Sequence, residues 1–280
     1  MTPPTIGVLG AGVIGASVAH AAAAAGYAVT LVDSDAAALD TARAAVRRHQ
    51  RLATLLGGAG APALDIRPST DLAALGDVEL VVENTTESEE AKRALYPELE
   101  KVLAPGTTIA ANTSAVPIGR LAEQLTDPGR VVGVHFMNPV DRIGMVEVVR
   151  GGDSSDAAMR DVDLMLRRLG KEAVVVRDAP GFVINRVLMP VVNLAAAVVA
   201  DGVATPSQVD DLFKGCLGHT SGPLRTADLI GIDTVVRTLE VLHDHYGTDE
   251  FATHPALRRM VDQGLLGTKS GRGFYSYDGN

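Results

Sequence analysis

Apolar residues along this chain fall into two regimes. Up to about residue 178 they come as short runs of strand length, among them TIGVLG, AVTLVD, TTIAA, VVGVH and MVEVV, separated by helical stretches. Strands are expected near Ile6, Val29, Leu80, Ile109, Val132, Val146 and Val174. Their alternation with helices is that of a doubly wound α/β sheet rather than a repeat array. The segment Arg177 to Gly181, RDAPG, carries proline and glycine at the expected boundary. Beyond it the pattern is helix after helix, with candidates at Ser207 to Gly215, Pro223 to Tyr246 and Pro255 to Gly264. Two domains are therefore expected, residues 1–178 around the sheet and residues 179–280 all helical. The apolar run Val187 to Ala200 is too short to cross a bilayer and reads as a buried helix.

The first strand leads into GAGVIG, with Gly10, Gly12 and Gly15, then the alanine-rich stretch Ala16 to Ala25 and a stop at Gly26. In a strand–turn–helix that binds a dinucleotide each glycine has a task. Gly10 permits the tight turn, Gly12 lets the backbone approach a pyrophosphate, and Gly15 lets the helix pack closely. The first amides of that helix, at Val13 and Ile14, then face the phosphates. The glycine pattern alone is weak. The second strand, however, ends at Asp33, where an acidic residue for the ribose hydroxyls is expected. The alternative is a glycine-rich turn beside an ordinary strand-end aspartate. Ser34, Asp35 and Ala36 follow, with no arginine for a 2'-phosphate, so a Rossmann-type sheet binding NAD rather than NADP is expected.

VVGVH and MVEVV set His135 and Glu147 on two short apolar runs joined by the turn-rich NPVDRIG. If the two strand ends meet, Glu147 accepts a hydrogen bond from one ring nitrogen, fixes the tautomer, and leaves the other nitrogen to take a proton. The bland alternative is a satisfied histidine beside an unrelated surface glutamate. Composition narrows the class further. The 280 residues, 46% hydrophobic and 21% charged, suffice for two packed domains, and the net charge of −9 argues against a nucleic acid partner. Cys216 is the single cysteine, so no intrachain disulfide is possible, and it has no ligand-spaced neighbours to suggest a metal. His243 and His245 fall on different faces of an expected helix. With no signal peptide before Thr5 and no membrane span, a cytoplasmic enzyme is expected.

At this point the chain resembles the L-3-hydroxyacyl-CoA dehydrogenase (3-hydroxybutyryl-CoA dehydrogenase) family, which interconverts 3-hydroxyacyl and 3-oxoacyl thioesters. The resemblance spans nearly the whole chain. It rests on GAGVIG with Asp33, VVENTTESEEAK, ANTS, HFMNPV followed by Glu147, APGFVINRVLMP, SGPLRTADLIGIDT and KSGRGFYSY, in the family's order. It implies that His135 is the catalytic base and Glu147 its partner, that Ser114 contacts the reacting oxygen, and that Asn112 lies near the nicotinamide. It implies further that Asn185 holds substrate and cofactor in the reactive pose, and that Glu87 and Lys92 line the nicotinamide ribose. Each has a plainer alternative: a helix cap for Ser114, a structural hydrogen bond for Asn185, ordinary charges on a solvated helix for Glu87 and Lys92. A homodimer formed by the helical part is implied by the resemblance only.

Several segments depart from the family pattern. Asp141, Arg142, Ile143 and Gly144 stand where fatty-acyl enzymes keep a more apolar stretch with a lysine, and Arg51 to Pro68 is a shortened, glycine-rich version of the hairpin that meets CoA. Arg225 replaces a common acidic residue. These features resemble the polyketide-pathway branch, which oxidises a glyceryl-type group on an acyl carrier protein for extender units of the methoxymalonyl type. Arg43, Arg47, Arg48 and Arg51 would then dock an acidic carrier protein, or meet CoA phosphates, or form a solvated helix face. A free sugar acid such as L-gulonate is a further alternative, with Arg142 or Arg225 pairing its carboxylate. A non-catalytic, crystallin-like NAD-binding protein is the last.

Overall fold

A computed structural model describes residues 3–55 and 64–277. It divides after Ala179 into two units, Met1–Ala179 and Pro180–Asn280. The first is built on eight strands in one sheet: β1 (Thr5–Leu9), β2 (Ala28–Val32), β3 (Ile66–Ser69), β4 (Leu80–Glu83), β5 (Thr108–Asn112), β6 (Val131–His135), β7 (Met145–Arg150) and β8 (Glu172–Arg177). Their spatial order is β3-β2-β1-β4-β5-β6-β7-β8. Every neighbouring pair is parallel except β6 and β7. Helices α1 (Val13–Ala24), α2 (Ala36–Leu55), α3 (Glu89–Val102), α4 (Ile118–Ala122) and α5 (Asp156–Arg168) supply long crossovers, which parallel strands require. The order reverses between β1 and β4, which opens a crevice at their carboxyl ends.

Strands with helices on both faces bury both faces, which is why β4, β5 and β6 are buried at consecutive positions rather than at alternate ones. Ala16, Ala19, Ala22 and Ala23 of α1 are buried on the sheet, so small side chains let that helix lie close. β6 and β7 are antiparallel because only the loop Phe136–Gly144 joins them, too short for a crossover helix.

The second unit contains α6 (Ile184–Ala200), α7 (Pro206–Leu217), α8 (Pro223–Ile230), α9 (Ile232–Tyr246) and α10 (Pro255–Asp262), packed around Met189, Val192, Ile232, Val235, Leu239, Leu242 and Phe251. α7 has both ends written in its sequence. Thr205 and Gln208 form a capping box, Pro206 opens the first turn, and Gly218 closes the helix at positive φ. Two buried carboxylates pin the last described residues. Asp228 accepts from the amides of Phe274 and Tyr275, both at 2.9 Å, and from the Tyr277 hydroxyl at 3.0 Å. Asp210 accepts from the amides of Leu224 and Arg225 and from the Tyr275 hydroxyl at 2.7 Å.

The structure corrects the sequence reading in three places. β3 was not expected: IRPS is short, polar and carries Pro68, a composition tolerated only at a sheet edge, where β3 lies. The span Pro223 to Tyr246 is two helices, broken at Gly231 with φ of +101°. Val187 to Ala200 is not simply buried, because Val187 and Leu194 on α6 are 62% and 67% exposed. The glycine-rich part of the hairpin, residues 56–63, and the side chain of Arg51 lie outside the described residues. Among the described residues no helix is long and apolar enough to cross a membrane, and no group of His, Cys, Asp or Glu is arranged to hold a metal.

Candidate active site

The crevice at the ends of β1 and β4 has the shape a dinucleotide needs. Gly10 has φ of +94°, and a Cβ there would lie 2.6 Å from the Asn84 carbonyl. A Cβ on Gly15 would lie 1.8 Å from the Gly10 carbonyl, so that glycine holds the turn against α1. Gly12 differs: a Cβ there meets nothing within 4 Å. Its bare backbone faces open space at the start of α1, where Val13 and Ile14 begin the helix, and this is the approach a pyrophosphate requires. Asp33, at the end of β2, accepts from the Ala11 amide at 2.7 Å and the Asp35 amide at 2.9 Å, so it braces the turn as well as facing the cleft. A cavity of about 620 Å³ is lined by Gly10, Gly12, Asp33, Asn84 and Thr85. These residues fit NAD, whose ribose hydroxyls an aspartate can receive.

At the carboxyl end of β6 the register places His135 directly opposite Glu147 of β7. Nδ1 of the ring and Oε2 of the carboxylate are 2.9 Å apart, and both side chains are buried. A carboxylate on Nδ1 leaves Nε2 as the nitrogen able to take a proton, and stabilises the imidazolium that results.

Between the nucleotide turn and this pair lies a buried polar network that the sequence reading only partly located. Glu83, the last residue of β4, is wholly buried. Its carboxylate receives the Lys92 ammonium at 2.8 Å on both oxygens, the Thr85 amide and hydroxyl, and the Tyr96 hydroxyl at 3.4 Å. Lys92 makes its third contact to the Asn112 carbonyl at 3.1 Å. Lys92 is therefore no charge on a solvated helix: it joins α3 to the ends of β4 and β5. Burial, and next to it the charge of Glu83, pushes the Tyr96 phenol well above its ordinary range. Asn112 bridges strand ends, donating to Asn84 Oδ1 at 2.8 Å and accepting from the Phe136 amide at 3.2 Å. Glu87 receives the Thr113 hydroxyl and the amides of Ser114 and Ala115, which shapes the turn after β5. Ser114 caps no helix, since α4 starts after Pro117. A strand-final glutamate nine residues before a lysine was the available signal for Glu83.

A second cavity, also about 620 Å³, opens beside Gly12. Val13, Ala16 and Ser17 of α1, Thr41, Ala45 and Arg48 of α2, and Asn138 and Pro139 of the β6–β7 loop line it. The Ser17 hydroxyl is buried there with no hydrogen-bond partner among the described residues. Arg43 and Arg47 lie elsewhere, against β3 in a cavity with Leu39, Val46 and Ile66. All three arginines are exposed, on the side of α2 opposite the buried Ala42 and Val46. Asn138 and Ser17 had not been singled out from the sequence. In the second unit, Asn185 is buried in the first turn of α6. The Arg225 guanidinium stacks 4.3 Å from the centroid of the Tyr275 ring, an occupation that competes with pairing a substrate carboxylate.

Comparison with known proteins agrees with this geometry over the whole chain. Residues 5–179 match the family model of the 3-hydroxyacyl-CoA dehydrogenase NAD binding domain, and residues 181–277 match that of the 3-hydroxyacyl-CoA dehydrogenase C-terminal domain. A probable 3-hydroxybutyryl-CoA dehydrogenase of Deinococcus radiodurans is 40% identical over 97% of this chain and 99% of its own. A 3-hydroxybutyryl-CoA dehydrogenase of Bradyrhizobium diazoefficiens is 37% identical over 98% and 95%. Among solved structures, (S)-3-hydroxybutyryl-CoA dehydrogenase PaaH1 from Ralstonia eutropha superposes with a TM-score of 0.91 at 34% identity, covering 99% of this chain and all of its own. FadB2 of Mycobacterium tuberculosis gives 0.93 at 35% identity, with coverage of 99% and 100%.

Proposed function

The chain belongs to the 3-hydroxyacyl-CoA dehydrogenase family and is an NAD-dependent oxidoreductase; from that premise we propose that it interconverts a short 3-hydroxyacyl-CoA of the 3-hydroxybutyryl class with its 3-oxoacyl form, using His135 as proton acceptor. The observation that carries this reading is the buried 2.9 Å contact of His135, at the carboxyl end of β6, with Glu147, in the same sheet whose β1 and β4 carboxyl ends form the dinucleotide crevice. His135 Nε2 takes the proton of the 3-hydroxyl, and Glu147 holds the imidazolium that forms. NAD, when bound, supplies the hydride acceptor. Ser114 and Asn185 orient the reacting oxygen, while Glu87, Lys92 and Asn112 hold the strand ends on which the nicotinamide end rests. In the reverse direction the imidazolium returns its proton to the new alkoxide.

CoA is favoured over a carrier protein as the thioester's handle. Arg48, Ser17 and Asn138 line one cavity, giving a cation and hydrogen-bonding groups suited to the polar portion of a CoA thioester. The exposed Val187, Leu194 and Val198 of α6 support a dimer of identical chains. The deciding experiment is NADH oxidation with acetoacetyl-CoA, run beside acetoacetyl and glyceryl groups on an acyl carrier protein. Turnover of the CoA substrate that falls by about 100-fold or more in His135→Gln, with NADH binding retained, is the expected result. Activity confined to the carrier-bound substrates would overturn the choice of CoA.

A further inference from the structure

The loop Phe136–Gly144 joins the strands that carry His135 and Glu147, and its Asn138 and Pro139 line the second cavity. The position of that loop sets both how the pair meets and what shape the cavity has. Its first residue is tied by the Phe136 amide to Asn112, and its last by the Glu172 amide donating to the Gly144 carbonyl at 2.8 Å. Between these ends the loop is held by a residue from outside it. The ammonium of Lys171, just ahead of β8, donates to the Val140 carbonyl and, at 2.8 Å, to the Ile143 carbonyl.

Lys171 is 7% exposed, and a lysine is seldom so buried without a carboxylate partner. Burial lowers its pKa, an effect that the charge of Asp141 opposes. Two carbonyls of one loop are thus gathered by a cation held under a desolvation penalty. A methyl or methylene in its place would leave both carbonyls without their donor. The contact is also specific to this loop: the Lys171 amide is committed separately to the Leu166 carbonyl at the end of α5.

We propose that Lys171 is a positioning residue of the active site, gripping the Val140 and Ile143 carbonyls so that the His135–Glu147 pair and Asn138 keep their relative places. The inference rests on the catalytic reading of that pair. It acts through geometry alone, since Lys171 touches neither His135 nor the nucleotide crevice. Displacements near 1 Å at a reacting centre can lower rates by roughly 100-fold, which sets the scale of the effect.

The test compares Lys171→Met with the unaltered full chain in three measurements: NADH affinity by fluorescence, kcat and KM for acetoacetyl-CoA, and amide hydrogen exchange. NADH affinity is expected to stay within about twofold, because the crevice at β1 and β4 does not include Lys171. kcat/KM for the acyl substrate is expected to fall about 10- to 100-fold, mostly in kcat, with faster exchange at the amides of Arg142, Ile143 and Glu172. A lysine that merely stabilised the fold would lower the melting temperature and leave kcat of the folded enzyme unchanged, and that result overturns the proposal. Unchanged exchange in the loop overturns it equally. If the unaltered chain does not turn over acetoacetyl-CoA, the dehydrogenase reading fails for that substrate, and the exchange comparison alone decides whether Lys171 clamps the loop. Should Lys171→Met lose NADH binding altogether, Lys171→Gln, which keeps amide donors, carries the same comparison.

Discussion

Replacing Lys92 with methionine would strip Glu83 of its cation without opening much space, since the two side chains have similar length. Both residues are wholly buried, and the ammonium meets both carboxylate oxygens at 2.8 Å. Removing one member of a buried ion pair destabilises by about 3–5 kcal/mol, because the charge left behind has lost its compensation. Thr85 still donates its amide and hydroxyl to Glu83, at 2.7 and 2.6 Å, so the lower end of that range applies, about 3 kcal/mol. For a unit of this size each kcal/mol lowers the melting temperature by about 2–4 °C, giving an expected fall of about 6–12 °C. Calorimetry on Lys92→Met measures it directly. The deficit should shrink when Glu83→Gln is added, because the second change discharges the stranded partner. A loss below about 1 kcal/mol, or a double variant no more stable than the single one, would refute the view that this pair is a structural brace.

Three further outcomes are expected. Gly12→Ala should fold with near-normal stability, because its Cβ meets nothing, yet lose NADH affinity, whereas Gly15→Ala should unfold the turn itself; melting curves and NADH titrations of the two distinguish them. Glu147→Gln should lower kcat by about 100- to 10,000-fold with NADH affinity unchanged, as measured by stopped-flow NADH oxidation and fluorescence titration. Burial, and then the hydrogen bond and charge of Asp228, pushes the Tyr277 phenol up to about 12 from an ordinary value near 10. Its folded value lies above its unfolded one, so its contribution is complete below about pH 10 and is lost as pH rises through about 12; Tyr277→Phe should flatten that stretch of the stability–pH curve.

What could be read from the sequence was what is local. The glycine turn is legible because φ of +94° at Gly10 and the crowding at Gly15 restrict those positions to one residue type. The meeting of His135 with Glu147 is legible because the linker between their strands is too short for anything but an antiparallel return. Lys171 was not legible, since the carbonyl it caps at Val140 is 31 residues away and backbone acceptors leave no trace in composition. Glu83 was hidden by its partner: VVENTTESEEAK shows several acids, and only the folded register selects the one that Lys92 neutralises. Gly231 escaped notice because glycine within a helical pattern is weak punctuation until its φ is known.

The anchoring of Phe274, Tyr275 and Tyr277 on Asp228 and Asp210 also orders events during synthesis. The first unit has all its strands once Arg177 has been made, but the second cannot complete the bonds of its buried Asp228 until Tyr277 has emerged, a hundred residues later. At about 5–20 residues per second the nascent sheet therefore waits roughly 5–20 s for its neighbour to mature. Any chain interrupted between Gly271 and Phe274 would carry a finished nucleotide crevice joined to a helical unit whose buried Asp228 has lost its Phe274, Tyr275 and Tyr277 donors. Such a product would still bind NADH while its second half remained a target for proteolysis.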